Sequence, residues 1–123
     1  MGKKVLIVDD DEDILASIRM LVDKMGLDVK TANNGMKAIE MLKKEKFDLV
    51  LLDILMPGMS GREVLKRIRS DSNLKNQKVI FTTVVQLSGA GESIIKELKP
   101  SDFIQKPVNV AEFKRKINKV LGE

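Results

Sequence analysis

The strongest chemical signal in this chain is a set of carboxylates that directly follow apolar runs. The run VLIV (residues 5–8) leads straight into five consecutive acids, Asp9–Asp13, and the run LVLLD (49–53) ends in Asp53. The chain has no His and no Cys, which excludes imidazole catalysis, thiol nucleophiles and thiolate metal sites. Oxygen ligands alone favour a hard divalent cation, Mg²⁺ first.

These acids must be positioned by the elements around them, and apolar runs alternate with helical periodicity five times. Predicted strands cover residues 5–8, 28–32, 49–53, 79–85 and 102–105. Five helices are predicted between and after these strands. The first runs from Ile14 to Met25 and stops at Gly26, and the second follows the Asn33-Asn34-Gly35 turn and includes Ala38, Ile39 and Leu42. The third begins at the capping box Ser60–Glu63, the fourth is a weak helix around Ile94, Ile95 and Leu98, and the fifth follows an Asn109 cap. The pattern predicts a doubly wound α/β sandwich around a parallel sheet, because near-continuous apolar strands are buried on both faces.

In such a sheet the carboxyl ends of the strands share one edge, where ligands bind. Asp9 and Asp10 follow the first strand, Asp53 ends the third, Thr83 lies at the end of the fourth, and Lys106 follows the fifth. Three carboxylates this close repel one another unless a cation neutralises them, and Mg²⁺ and the Lys106 ammonium would both do so.

Each of these residues also has an ordinary structural interpretation. Glu12 and Asp13 simply oppose a helix dipole, and Asp11 fits the same explanation. A lone Asp after a strand is usually a turn residue, and Thr83 alone is an ordinary strand residue. Five such residues, each at a predicted strand end, favour a functional site over coincidence.

The order and spacing of VDDDED, LLDILMPGMSG, VIFTT and FIQKPV resemble the receiver domains of response regulators in two-component signalling. The resemblance covers essentially the whole chain. It implies a flavodoxin-like (βα)5 sandwich with strand order 2-1-3-4-5, and a single receiver domain over residues 1–123 with no output domain.

The resemblance also implies a role for individual residues. Asp53 would accept a phosphoryl group. Asp9, Asp10, Asp53 and the backbone carbonyl of Leu55 would hold Mg²⁺. The Thr83 hydroxyl and the Lys106 ammonium would bind the phosphoryl group.

A conformational switch is part of the same resemblance. Thr83 would be drawn towards the phosphoryl group, and Phe103 would turn inward to fill the space left behind. The Lys106–Pro107 bond resembles the cis peptide of the family.

The function implied is a phosphorylation-dependent signalling switch. Its partners would be a sensor histidine kinase or phosphotransfer protein and a downstream target protein. The chain would catalyse its own phosphorylation and dephosphorylation without being a turnover enzyme.

Composition adds expectations about location. The net charge is +4, but basic residues are interspersed with acids and only four aromatic residues are present. This favours solvated helix faces over nucleic-acid binding. No apolar run is long enough to span a membrane, and no secretory signal is recognised. We expect a cytoplasmic protein without direct nucleic-acid or membrane contacts.

Three features depart from the family pattern. Val84 replaces a small residue and is predicted to slow reaction with small phosphodonors. Leu55 and Val85 occupy the positions at which members of the family tune hydrolysis of the acyl phosphate. Both are apolar and cannot hold an attacking water, which predicts a long-lived phosphorylated form. Gly89 and Gly91 predict a frayed start for the helix before the fifth strand.

Several other functions stay open at this point. The chain could be a phosphorelay intermediate or a docking module that is never phosphorylated. An Asp-nucleophile phosphatase would want an acid at Leu55. A flavin-binding protein of the same topology would need a hydroxyl-rich or Gly-rich phosphate-binding loop after the first strand, where this chain has VDDDED.

Overall fold

Five parallel strands form one sheet in the computed structural model, which describes residues 2–84 and 96–122. The strands are β1 (Lys4–Val8), β2 (Asp28–Ala32), β3 (Leu49–Asp53), β4 (Val79–Thr83) and β5 (Asp102–Gln105). The helices in the described ranges are α1 (Glu12–Lys24), α2 (Gly35–Lys44), α3 (Gly61–Ser70) and α4 (Val110–Leu121). The strand order is β2-β1-β3-β4-β5, so the predicted doubly wound fold and its order are confirmed.

Apolar side chains on both faces of the sheet explain why the strands read as near-continuous apolar runs. On one face, α1 and α4 bury Leu15, Ile18, Val22, Phe113, Ile117 and Leu121 against the sheet. On the other face, α2 and α3 bury Ala38, Ile39, Leu42, Val64, Leu65 and Ile68. All residues of β3 and β4 are buried, because these strands lie inside the sheet with helices on either side.

The predicted helix signals act as expected. Asp11 is the N-cap of α1, and its carboxylate accepts from the amides of Asp13 and Ile14 at 2.9 and 3.2 Å. Asn109 caps α4 through the Glu112 amide at 3.0 Å. Ser60 caps α3 through the Glu63 amide at 3.3 Å, and the return contact joins the two side chains at 3.5 Å.

The fourth strand is shorter than the predicted 79–85. β4 ends at Thr83, and Val84 is 62% exposed. The last pairs of β4 are Thr82 with Asp53 and Thr83 with Gln105, so both neighbouring strands end here and no partner remains for Val84.

The predicted helix around Ile94, Ile95 and Leu98 lies largely outside the described residues, as do Gly89 and Gly91. Lys96 and Glu97 are helical, and Leu98 packs partly buried against the core.

The start of α3 lies directly against the end of β3. The Gly61 amide donates to the Ile54 carbonyl at 2.9 Å, and a Cβ at Gly61 would stand 2.2 Å from the Asp53 carbonyl oxygen. Only a residue without a side chain fits between α3 and the backbone that carries Asp53.

Gly61→Ala should therefore destabilise the protein, because the new methyl group must push α3 away from β3. We expect the free energy of unfolding to fall by about 2–3 kcal/mol. Ser60→Ala is the matched control, since loss of an N-cap costs about 1 kcal/mol without any clash. Urea unfolding measures both, and equal losses in the two variants would contradict the packing argument.

Candidate functional site

Three carboxylates converge at the carboxyl edge of the sheet. Asp53 ends β3 and is 5% exposed, whereas Asp9 follows β1 and is 1% exposed. Val8 pairs with Leu52 in the parallel register, which sets Asp9 and Asp53 side by side one residue further on. Asp10 is exposed, and one oxygen from each of the three carboxylates lies within 4.8 Å of the others.

Lys106 reaches into this cluster from the segment after β5. Its amide donates to the Thr83 carbonyl at 2.7 Å, and the peptide bond to Pro107 is cis as predicted. The ammonium lies 2.5 Å from Asp9 Oδ2 and 3.5 Å from Asp53 Oδ1. With 9% of its side chain exposed, Lys106 is a nearly buried counter-ion that contacts Asp9 more closely than Asp53.

Burial dominates the electrostatics of Asp53. Loss of water around the carboxylate raises the pKa of Asp53 to about 6, and the attraction of Lys106 opposes this rise. The negative charges of Asp9 and Asp10 raise it further. Added positive charge would thus stabilise the ionised form of Asp53.

The donor set fits a magnesium ion. All three side chains offer oxygen ligands, and Mg²⁺ takes oxygen with several waters retained. A spread of up to 4.8 Å between the oxygens leaves room for a small ion with water completing its coordination. Asp9, Asp10 and Asp53 are therefore the side chains that could hold it.

The other predicted site residues lie at different depths. Thr83 is buried at the end of β4, and Leu55 lies in the loop two residues beyond Asp53 with its side chain 55% exposed. Phe103 lies inside β5, opposite Phe81 in the register, and the two rings stack with centroids 5.9 Å apart. Phe103 thus packs partly buried against the core.

Some supporting contacts were not predicted from the sequence. The Asp11 amide donates to Asp9 Oδ1 at 3.0 Å, so the cap of α1 also orients a carboxylate of the site. Thr82 is buried and faces Asp53 in the register. Lys116 of α4 donates to the Phe103 carbonyl. The position of Asp11 two residues after Asp9 was a usable signal, but nothing in the sequence links Lys116 to β5.

Comparison with known proteins gives one consistent result. The sequence model of the response regulator receiver domain matches residues 5–118. The chain is 37% identical over 122 residues to sporulation initiation phosphotransferase F of Bacillus subtilis, covering 98% of this chain and 95% of that protein.

Other relatives are longer than this chain. It is 38% identical over 122 residues to a CpxR homolog, a transcriptional regulatory protein of Haemophilus influenzae, covering 96% of this chain and 50% of that protein. The chain thus spans about half the length of the first transcriptional regulatory proteins that it matches.

Solved structures agree on the fold. A CheY-like response regulator receiver domain protein from Methanospirillum hungatei superposes with a TM-score of 0.89 at 30% identity, over 99% of this chain and 95% of that one. Since the family match extends over nearly all of the sequence, this chain belongs to the receiver domains of response regulators, the phosphoacceptor signalling modules of two-component systems.

Proposed function

We propose that this protein is a signalling switch that accepts a phosphoryl group on Asp53 from a histidine kinase or phosphotransfer protein, with Mg²⁺ held at Asp9, Asp10, Asp53 and the backbone carbonyl of Leu55. The observation that carries the proposal is the position of the Asp53 carboxylate. It is buried, shares a site with two further carboxylates, and lies 3.5 Å from the Lys106 ammonium.

The chemistry needs little more than positioning and charge neutralisation. An Asp53 oxygen attacks the phosphorus, the bond from phosphorus to the donor's leaving group breaks, and an acyl phosphate forms on Asp53. A pKa of about 6 leaves most Asp53 ionised at pH 7 and able to attack. Lys106 and the Thr83 hydroxyl would hold the transferred oxygens. Mg²⁺, when bound, would neutralise the remaining negative charge.

The switch would run from Thr83 to Phe103. Thr83 is tied to Lys106 by a backbone hydrogen bond, so movement of Thr83 towards the phosphoryl group would strain the end of β5. Phe103 lies on β5 and stacks on Phe81, and its carbonyl is held by Lys116 of α4. The downstream target would recognise the face formed by β5 and α4, together with the helix predicted before β5, which lies largely outside the described residues. Phosphorylation would shift the population between two states of this face.

A second candidate role is that of a phosphorelay intermediate. The support is similarity along 95% of the length of a protein named as a phosphotransferase. A relay protein should lose its phosphoryl group to a histidine-containing phosphotransfer protein in a test of transfer with labelled phosphate, whereas a terminal switch should keep it.

No helix in the described part of the chain is long and apolar enough to span a membrane. The single-domain organisation over 1–123, the cytoplasmic location and the absence of direct nucleic-acid and membrane partners stay predictions.

Phosphorylation of Asp53 can be tested directly. Incubation with acetyl phosphate and Mg²⁺ should increase the intact mass by one phosphoryl group. Asp53→Asn should remove the adduct, because an amide is not a nucleophile here, and chelation of Mg²⁺ should reduce it strongly. Thr82→Ser is a matched control at a neighbouring buried position and should keep the adduct.

An adduct that survives in Asp53→Asn would contradict the proposal. If wild type gives no adduct with acetyl phosphate, a phosphorylated histidine kinase replaces the small donor, because Val84 is predicted to hinder small donors. No adduct from a panel of such kinases would also contradict it.

The stability of the protein without divalent ions should depend on the ionisation of Asp53. The pKa of Asp53 is raised in the folded protein, so the folded state binds a proton more tightly than the unfolded chain between about pH 4 and 6. This group should therefore reduce stability as the pH rises through that window. Asp53→Asn should stabilise the chelated protein at pH 7 by about 1–2 kcal/mol and flatten this dependence.

Thermal unfolding in chelator measures this effect, with Asp23→Asn as the matched control at an exposed position. Added Mg²⁺ should raise the melting temperature of wild type more than that of Asp53→Asn, because the ion binds only the folded state. An Asp53→Asn protein less stable than wild type in chelator would disprove the account.

A further inference from the structure

A groove between α2 and α3 lies on the opposite side of the sheet from α1 and α4. The two helices touch near their first turns, since a Cβ at Gly35 would stand 2.7 Å from a methyl group of Val64. Beyond that contact a groove of about 630 Å³ opens. Ile39 and Leu74 line it, and both belong to or pack against the core on this face.

Three exposed cations line the same groove. Lys43 comes from α2, and Lys66 and Arg67 come from α3. Among the residues that the structure describes, none of the three has a carboxylate within 4.0 Å. Among those residues, the Arg67 guanidinium makes one weak hydrogen-bond contact, of 3.9 Å, to the sulfur of Met36.

Cations near helix C-termini commonly complement the helix dipole. Arg69, in the last turn of α3, does more than this, because it also binds backbone carbonyls of other segments. Its guanidinium donates to the carbonyls of Leu98, Lys75, Gln77 and Lys99 at 2.8–3.0 Å. Within the described ranges, the side chains of the three groove cations make no such bond to a carbonyl. Lys43 and Arg67 lie in the last turns of α2 and α3, where their charges favour the helix ends. The side-chain N–H groups of the three cations nevertheless bond to no oxygen of the described residues, so they can pair with a partner.

The two carboxylates of the groove are already engaged in local structure. Glu63 contacts the Ser60 hydroxyl in the cap of α3, and Asp71 accepts from the Asn73 amide at 2.8 Å. The groove lining thus carries three cations and two carboxylates, an excess of one positive charge beside a small apolar floor.

An exposed methionine extends the apolar surface. Met36 is 51% exposed and borders the groove through its contact with Arg67. Met36, Ile39 and Lys43 follow helical spacing on α2, so apolar and cationic groups form one stripe along the groove. Methionine suits a docking surface because its side chain adapts to the shape of a partner.

We propose that this groove docks an acidic amphipathic helix of a partner protein. The apolar side of that helix would cover Met36, Ile39 and Leu74, and its carboxylates would pair with Lys43, Lys66 and Arg67. Charge complementarity identifies this occupant, because an apolar or basic helix would leave the three cations unpaired. Lys43 and Leu74 place the far end of the groove at the C-terminal ends of α2 and α3, whereas the carboxylates of the site lie where these helices begin. We therefore expect docking without phosphorylation of Asp53.

The test uses the full chain and a defined probe. The probe is a fluorescein-labelled helical peptide of about 18 residues, with Leu at i, i+3, i+4 and i+7 and Glu on both flanks. We expect it to bind with a dissociation constant of about 100 µM or tighter in fluorescence anisotropy, more weakly as salt is raised. Its binding should shift the amide resonances of Ile39, Lys43, Arg67 and Leu74.

Charge reversal locates the site. The double variant Lys43→Glu/Arg67→Glu should weaken binding about tenfold or more. Lys114→Glu/Arg115→Glu makes the same change in net charge at exposed positions of α4 and should leave the affinity within about twofold of wild type. Both double variants should still be phosphorylated by acetyl phosphate if wild type is, so failure of docking and failure of the proposed phosphorylation are separate results.

Three results would overturn the proposal. The first is no binding of the acidic peptide at millimolar protein. The second is an equal loss of affinity in both double variants, which would mean non-specific attraction to a basic protein. The third is binding of inorganic pyrophosphate at this groove without binding of the peptide, which would make it a small-anion site.

Discussion

The repulsion between carboxylates at one edge of the sheet is the constraint on which the site depends. Asp9 and Asp53 are nearly buried, and Asp10 lies within reach of both. Like charges in a poorly hydrated place are unfavourable unless opposite charge is close. Lys106 supplies one positive charge from within the chain and sits between Asp9 and Asp53. Three carboxylates and one ammonium leave the site with a net negative charge. A magnesium ion would bind there first, and a phosphoryl group would follow.

The surrounding backbone holds this unfavourable cluster together. Adjacent parallel strands fix Asp9 beside Asp53, and the Asp11 amide orients Asp9. The hydrogen bond from the Lys106 amide to the Thr83 carbonyl anchors Lys106 beside the end of β4, and its ammonium lies over the edge. Gly61 lets α3 begin directly on the backbone of Asp53. The rest of the fold therefore stabilises an edge that would not be stable alone.

Much of this was predictable, because apolar periodicity and strand-end positions carry strong signals. The sheet, its order and the position of Asp9, Asp53, Thr83 and Lys106 at one edge follow from runs such as LVLLD and from the family resemblance. The predicted end of β4 was wrong. Apolar Val84 continues the apolar run of the strand, although no neighbouring strand remains to pair with it. Periodicity records burial tendency along one segment and carries no information on where adjacent strands end.

Contacts between side chains distant in sequence were beyond prediction for a similar reason. The closer approach of Lys106 to Asp9 than to Asp53, and the bond from Lys116 to β5, depend on side-chain geometry. The unpaired cations between α2 and α3 looked in the sequence like ordinary solvated helix faces. Only the contrast with Arg69, whose charge is used by backbone carbonyls, separates them from such faces.

The most direct test of the central claim is to locate the acyl phosphate. Protein treated with a phosphodonor in Mg²⁺ is reduced with borohydride, which converts an aspartyl phosphate to homoserine, and its peptides are sequenced by mass spectrometry. The account predicts homoserine at position 53 and unmodified Asp9 and Asp10. Homoserine at position 9 or 10, or a phosphorylated protein without homoserine at position 53, would contradict it.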